Sequence, residues 1–423
     1  MEITKKIKKS LEPYMGLPRE VYVIFISRMV NAMGAFVWPM MTLLLTSKIG
    51  LSEKEAGWYM MLPGIFFIFA SLLGGKLADV FGRKVIIVTL ELIAAGLYIM
   101  CGFIEPSMTT YYLIMAAGFC YGVADPAHGA LIADITTPEN RDAAYALSYM
   151  GFNLGFAIGP AIGGWLFENN LHWFFWGDAI TAIIAITLLM IFVKETIHLT
   201  KEDVGVDRQL EKQEQGSIIK VLLKRPVLIG FAFIMFGYNF VYAQWSFMVP
   251  IHTDLVVEEG AKWYGFLSSF NGFVVIACTP LITLILHKLK TIQRIVVGGL
   301  LYIAGYLFFI LTQNIAFFFI GVGIFTLGEI AVTVNAMPFI ANHTPSSHRG
   351  RMNAIIPMIS GLGFTISPMI MGNVIESTNI TTAWWFVCII MVVFSVFMVL
   401  LGHFDEKSKA TNMTNEAEKV ETV

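Results

Sequence analysis

Twelve solid apolar runs follow one another along the chain, centred near residues 33, 66, 94, 122, 154, 182, 239, 273, 302, 328, 362 and 391. Each is about 20 residues long, enough to cross ~30 Å of hydrocarbon. Polar residues do not alternate with apolar ones inside these runs. In lipid every backbone N–H must also find its partner within its own segment, so the pattern predicts helices rather than barrel strands. The longest polar interruption follows the sixth run and divides them six and six. It predicts a bundle over 1–193, a linker over 194–225 and a second bundle over 226–402. Within the linker, Ser217 to Arg225 carries enough apolar residues to rest on a membrane surface. The remaining 403–423 is too polar to bury a core and is expected to be disordered.

The two halves repeat each other. Gly155 begins G-F-A-I-G-P-A-I-G-G and Gly363, 208 positions later (363 minus 155), begins G-F-T-I-S-P-M-I-M-G, identical at six of ten positions. At the same offset Ile132-Ala133-Asp134 answers Ile340-Ala341-Asn342, and Thr136 answers Thr344. A duplicated membrane unit is a common plan among transporters.

Composition agrees: 57% of residues are hydrophobic and 14% charged, against a usual charged share of ~25% in soluble domains. Of the 28 Lys and Arg, 24 fall in the tails and in alternate loops that would share one face. Lys48, Lys54 and Lys262 fall in the opposite loops, and Arg28 lies inside a run. The excess of positive charge on one side predicts a multi-pass protein of the cell membrane with both termini cytoplasmic. The Lys5, Lys6, Lys8, Lys9 cluster precedes a run too long for a cleaved signal and reads as the flank of a retained first span. Cys101, Cys120, Cys278 and Cys388 sit singly, without metal-ligand spacing, as packed thiols. A net charge of −2 with no basic domain excludes nucleic acid as a partner.

After the second run comes Gly75-Lys76-Leu77-Ala78-Asp79-Val80-Phe81-Gly82-Arg83-Lys84. Gly75 would let a neighbouring helix approach, and Gly82 can take positive φ in the reversal. Asp79 can face a helix N-terminus. Along the fifth run Gly151, Gly155, Gly159-Pro160 and Gly163-Gly164 recur every four residues, a stripe that brings helices into backbone contact. Pro160 removes a hydrogen bond there and permits a bend.

The loop order G-x-L-A-D-x-x-G-R-K resembles the signature loop of the major facilitator superfamily, and the fifth-run stripe resembles the motif of its drug:proton antiporters. The fold that this implies is all-α, with twelve transmembrane helices in two pseudo-symmetric six-helix bundles. The resemblance further implies that Asp79 latches the cytoplasmic end of helix 2 to the start of helix 11, that Arg83 meets Asp134 at the end of helix 4 as part of the same gate, and that this latch stabilises an outward-facing state. In the second half His287 to Arg294 keeps basic charge but lacks the Asp and both Gly. One departure stands out: many drug:proton exporters carry an arginine early in helix 4, where this chain reads Met115-Ala116-Ala117-Gly118-Phe119-Cys120-Tyr121-Gly122.

Ionisable groups within apolar runs cost about 2.5 kcal/mol or more on insertion scales, and each requires a reason. Arg28, Glu91, Asp125 and Glu329 fall in one layer, roughly 18–22 Å below the outer face at ~1.5 Å per residue. Arg28 can pair with Asp125 or Glu91, either as a static ion pair or as part of a working site. Glu329 has no cation nearby in its own half, and such burial poises a carboxyl for protonation at physiological pH. Its Thr-Leu-Gly-Glu run also resembles a bacterial multidrug/proton subgroup. His128 reads either as a packed imidazole or as a relay to Asp125. Asp178, nearer the outer face in a peripheral helix, reads as structural.

Helices 1, 4, 7 and 10 line the cavity in the fold so implied, which nominates Asn31, Trp38, Tyr238, Trp245 and Asn335 as substrate contacts. The function expected is proton-driven multidrug efflux by a monomer, with small lipophilic or cationic substrates, protons and membrane lipids as its partners. No cofactor is expected beyond the proton gradient. Export of one metabolite or lipid-like molecule is the alternative, and a non-transport sensor or scaffold stands third. An enzyme is not expected, because no His-Glu-x-x-His, Gly-x-Ser-x-Gly or catalytic aspartate pair is present.

Overall fold

The computed structural model describes residues 14–137, 139–197, 225–344 and 349–421. The Lys5 to Lys9 cluster and residues 217–224, expected to rest on a membrane surface, lie outside them. Among the described residues seventeen helical elements group into twelve successive helices, several of them interrupted, and there is no strand. They are α1 (Arg19–Met33), α2 (Glu53–Phe81), α3 (Arg83–Cys101), α4 (Met108–Asp134), α5 (Arg141–Phe156, resuming as Gly159–Asn169) and α6 (Leu171–Phe192). The second set is α7 (Pro226–Tyr242, resuming after a 3₁₀ turn as Met248–Val256), α8 (Gly260–Leu286), α9 (Thr291–Leu311), α10 (Ile315–Asn342), α11 (Arg349–Ser377) and α12 (Ile380–Glu421). Ten segments are long and apolar enough to cross a membrane. α4 falls short because Asp125, His128 and its glycines dilute the apolar run, and α1 because it breaks.

The break in α1 corrects the expectation that the first solid run, centred near residue 33, forms one helix. The helix stops at Gly34 and resumes only at Met41. Gly34 sits so close to Thr181 of α6 that a Cβ would overlap it. Beyond it the N–H groups of Phe36 and Val37 both donate to Asp178 Oδ2, each at 3.1 Å. A carboxylate thus takes the place of the missing helical acceptors.

The chain resolves into two compact units. The first comprises 1–207 with 246–276, and the second 208–245 with 277–423. These units do not follow the boundaries expected at 194 and 226, because the end of α7 and the start of α8 pack within the first. Thr42 Oγ1 donates to Ser246 O at 2.7 Å, and Glu168 accepts the Ala261 N–H at 2.9 Å. A Cβ on Gly164 would overlap the Ala261 carbonyl.

In the first unit the glycine stripe lays α5 along α1. Gly151, Gly155 and Gly159 face the carbonyls of Phe25, Met29 and Ala32, too near for any side chain. In the second unit Gly363 of α11 meets the Phe236 carbonyl of α7 in the same way. Thr136 Oγ1 donates to Ile132 O and Thr344 Oγ1 to Ile340 O, at 2.6 and 2.7 Å. The tail after His403, expected to be disordered, continues as helix through Glu421. Its first turn is held by His343 against Asp405 at 3.0 Å and by Lys290 against Glu406 at 2.6 Å.

Candidate functional site

In the first unit Arg28 of α1 borders three cavities of about 190, 220 and 290 Å³. Asn31 and Trp38 line two of them, and Asp125 of α4 lines two. Glu91 of α3 borders the 220 Å³ cavity together with His128, and the two side chains meet at 2.6 Å, Oε1 to Nε2, both buried. Neither alternative expected for Arg28 is realised as an ion pair: it forms no bridge with Asp125 or Glu91 among the described residues, and its buried Nε has no hydrogen-bond partner. His128 pairs with Glu91 rather than relaying to Asp125. The result is a polar chamber with one cation, one exposed carboxylate and one buried acid–imidazole pair.

Glu329 lies in the second unit, on α10. It is not left without a polar partner in its half, since the Tyr242 hydroxyl donates to its Oε1 at 2.9 Å. Tyr242 stacks on Phe325 at 5.8 Å, Tyr302 stacks on Phe325 at 4.8 Å, and Trp245 stacks on the same ring at 5.6 Å. Four aromatic rings from three helical segments therefore assemble one turn from the carboxylate. Tyr242, Tyr302 and Phe325 escape a reading of the sequence, because nothing distinguishes them from the 34 Phe and 14 Tyr of the chain. The spacing of four between Tyr238 and Tyr242, and between Phe325 and Glu329, is the one available signal.

Two nominated residues turn elsewhere. Tyr238 is buried against Ser395 of α12, oxygen to oxygen 3.3 Å, and its hydroxyl reaches the position where Gly299 would carry a Cβ. Asn335 is buried too; its Oδ1 accepts from Arg294 at 3.2 Å and its Nδ2 donates to Ala331 O. Both are engaged in packing their own unit.

The α2–α3 loop is organised by Arg83. Its Nε stands 3.1 Å from Asp134 Oδ2, an ion pair in which the N–H does not aim at the oxygen, and its other nitrogens reach Asp79 at 3.0 Å and the Ala78 carbonyl at 2.9 Å. Gly82 has φ of +107°, as the reversal requires. Lys84 donates to the Met190 carbonyl at 2.7 Å. The close approach expected at Gly75 is found one residue earlier: a Cβ on Gly74 would overlap the Val123 carbonyl of α4, whereas one on Gly75 would meet nothing within 4 Å. The side chains at 349–351, where a latch from Asp79 would end, lie outside the described residues.

Two residues after α6 complete this loop and carry no motif that singles them out. Glu195 accepts the N–H groups of Arg83 and Val85 at the start of α3, at 2.9 and 3.2 Å, and Thr196 donates to Asp134 at 2.7 Å. Partial burial pushes the Glu195 carboxyl up, but the N–H groups of Val85, Thr196, Arg83 and Ile197 outweigh it and hold the group below its ordinary value. In the second half Arg294 plays a comparable part, donating to Leu289 O and His287 O at 2.8 and 2.7 Å.

A family model described as Major Facilitator Superfamily matches residues 24–334 and 324–421. An uncharacterized MFS-type transporter, YttB, of Bacillus subtilis (strain 168) is 24% identical over 411 residues, covering 95% of this chain and 98% of that protein. A Na(+), Li(+), K(+)/H(+) antiporter of Planococcus maritimus is 24% identical, covering 83% and 91%. The multidrug resistance protein MdtH of Yersinia enterocolitica is 23% identical, covering 57% and 59%. Among solved structures, a peptide transporter, POT, in complex with alafosfalin superposes with a TM-score of 0.73 at 15% identity over 92% of this chain and 96% of that one. The nucleoside transporter NupG gives 0.72 at 12% identity over 90% and 99%. At such identities the solved structures establish the fold alone.

Proposed function

The chain belongs to the Major Facilitator Superfamily, and on that premise we propose that this membrane transporter exports lipophilic, often cationic organic compounds in exchange for protons, by alternating access. The observation that carries the proposal is Glu329 with the Tyr242 hydroxyl on its carboxylate and the stacked rings of Tyr242, Tyr302, Phe325 and Trp245 beside it. A carboxylate gives charge recognition, and ring faces attract cations while accepting varied apolar shapes. In this reading protonation of Glu329 and occupation by a cation exclude each other, both termini are cytoplasmic, and the monomer is the working unit.

The relative named as a Na(+), Li(+), K(+)/H(+) antiporter raises a second reading, exchange of small inorganic cations. The aromatic surroundings of Glu329 favour an organic cation, since a small hard cation is held by clustered oxygens. Purified protein in liposomes with an imposed pH gradient separates the two. Gradient-driven accumulation of several cationic dyes, lost in Glu329→Gln, is the expected result. Movement of Na⁺ or K⁺ without any dye would favour the second reading, and movement of neither would reject both.

A further inference from the structure

The acidic groups of the first unit differ in kind. Asp125 is exposed and makes no hydrogen bond or ion pair among the described residues, whereas the side chains of Glu91 and His128 are only 7% and 9% exposed and lie 2.6 Å apart. Two such groups at this distance share one hydrogen bond, and a proton held there lies between both. With a proton between Oε1 and Nε2 and a bare Nδ1, the pair carries one net negative charge; with a further proton on Nδ1 it is neutral.

We propose that Glu91 and His128 together form a proton-carrying site of the first unit, loaded from the acidic compartment and emptied toward the other. The inference rests on the proton-coupled exporter reading above and adds to it a site apart from Glu329. Loading is a simple transfer: a hydronium ion gives its proton to the bare ring nitrogen, an N–H bond forms, the hydronium O–H bond breaks, and water leaves. The groups facing the pair suit this role. From α1 comes Arg28, with an unpartnered buried Nε, and from α4 come Asp125 and Tyr121, whose buried hydroxyl is also without a hydrogen-bond partner. α2 contributes the apolar Phe67 to the same cavity. On α6, Asp178 is committed to the N–H groups of Phe36 and Val37, and Tyr98 of α3 faces the neighbouring cavity. When the pair empties, its negative charge joins that of Asp125 opposite Arg28, and the chamber gains attraction for a cation. Proton and organic cation become alternative occupants.

The test uses the full chain, with ethidium as the probe. Wild type, Glu91→Gln, His128→Gln and the exchanged double variant E91H/H128E are compared in liposomes with an imposed pH gradient, and in lightly buffered detergent with a pH indicator. Both single variants are expected to let ethidium run down its own gradient, to lose accumulation driven by the pH gradient, and to lose the proton release that ethidium binding causes in wild type. The exchanged variant should recover that release. If neither single variant moves the dye even downhill, release by the exchanged variant decides: its presence supports the site and its absence overturns it. Single variants that accumulate ethidium and release protons like wild type overturn the site outright. Infrared difference spectra between acidic and alkaline buffer, taken without dye, read the pair independently of the exporter reading. A carboxyl band lost in E91Q and displaced in H128Q is expected, and an unchanged spectrum in H128Q defeats the pair. A wild type that moves no ethidium while showing that band overturns the multidrug reading alone.

Discussion

Gly155 and Gly363, separated by 208 positions (363 minus 155), rest on equivalent helix carbonyls, Met29 O on α1 and Phe236 O on α7. The sequence repeat is thus also a repeat of contact: in each unit a helix is held against its neighbour at a distance only a hydrogen allows. Gly155→Ala and Gly363→Ala are each expected to destabilise by about 1–3 kcal/mol through overpacking against backbone. Gly75→Ala, inside α2 with open space around it, should keep or slightly raise stability, since alanine favours the helix by about 0.5–1 kcal/mol. Thermal unfolding in detergent checks all three, and a Gly363→Ala protein that melts like the parent would break the equivalence.

Arg83→Ala removes the charged partner of Asp134, a carboxylate 13% exposed that keeps its hydrogen bond from Thr196. Breaking such a pair by removing one member costs about 3 kcal/mol. The expected outcome is a lower melting temperature together with a shifted balance of facing states, read by accessibility of single cysteines introduced at either end of the bundle. Arg83→Lys restores charge but not the several contacts that the guanidinium makes, and should recover only part of the loss.

Against the upward push of partial burial, the N–H groups of Val85, Thr196, Arg83 and Ile197 hold the Glu195 carboxyl below its ordinary value, so its proton affinity is lower folded than unfolded. A depressed carboxyl contributes stability above the unfolded value of about 4.3, and loses it as pH falls through the folded one. Hydrogen exchange at the Arg83 and Val85 amides should therefore stay slow at neutral pH and quicken, relative to the rest of α3, in acid. In Glu195→Gln the exchange should be faster at neutral pH and lose its acid-dependent step.

Tyr242→Phe keeps the ring stack with Phe325 and removes one hydrogen bond to Glu329. A bond to a charged group contributes about 1.5 kcal/mol or more, which corresponds to roughly tenfold in an equilibrium constant. Gradient-driven dye transport should change about tenfold in its apparent affinity with the fold intact. Tyr238→Phe, whose hydroxyl meets Ser395 instead, should leave affinity unchanged.

Asp178→Ala leaves the Val37 N–H without its acceptor and the Phe36 N–H with the Gly34 carbonyl alone. At about 1–3 kcal/mol for an unsatisfied buried donor, a clear loss of stability is expected. Asp178→Asn, which retains an acceptor oxygen, should be milder, and equal melting temperatures for the two variants would contradict the account.

The apolar runs by themselves determined that the chain is helical and membrane-spanning, because an uninterrupted stretch of that length has one way to satisfy its backbone in lipid. The local order around Gly82 and Gly155 likewise determined a tight reversal and a close helix contact, since both depend on backbone geometry that glycine alone permits. Contacts between distant segments were decided only by the tertiary structure. That Glu91 meets His128 and not Arg28, that Tyr242 and not Tyr238 reaches Glu329, and that Glu195 caps α3 depend on how helices are rotated about their own axes. An apolar run surrounded by lipid and by equally apolar neighbours carries little periodic pattern to set that rotation. It is fixed instead by where small residues let backbones touch, and that is settled when the helices pack.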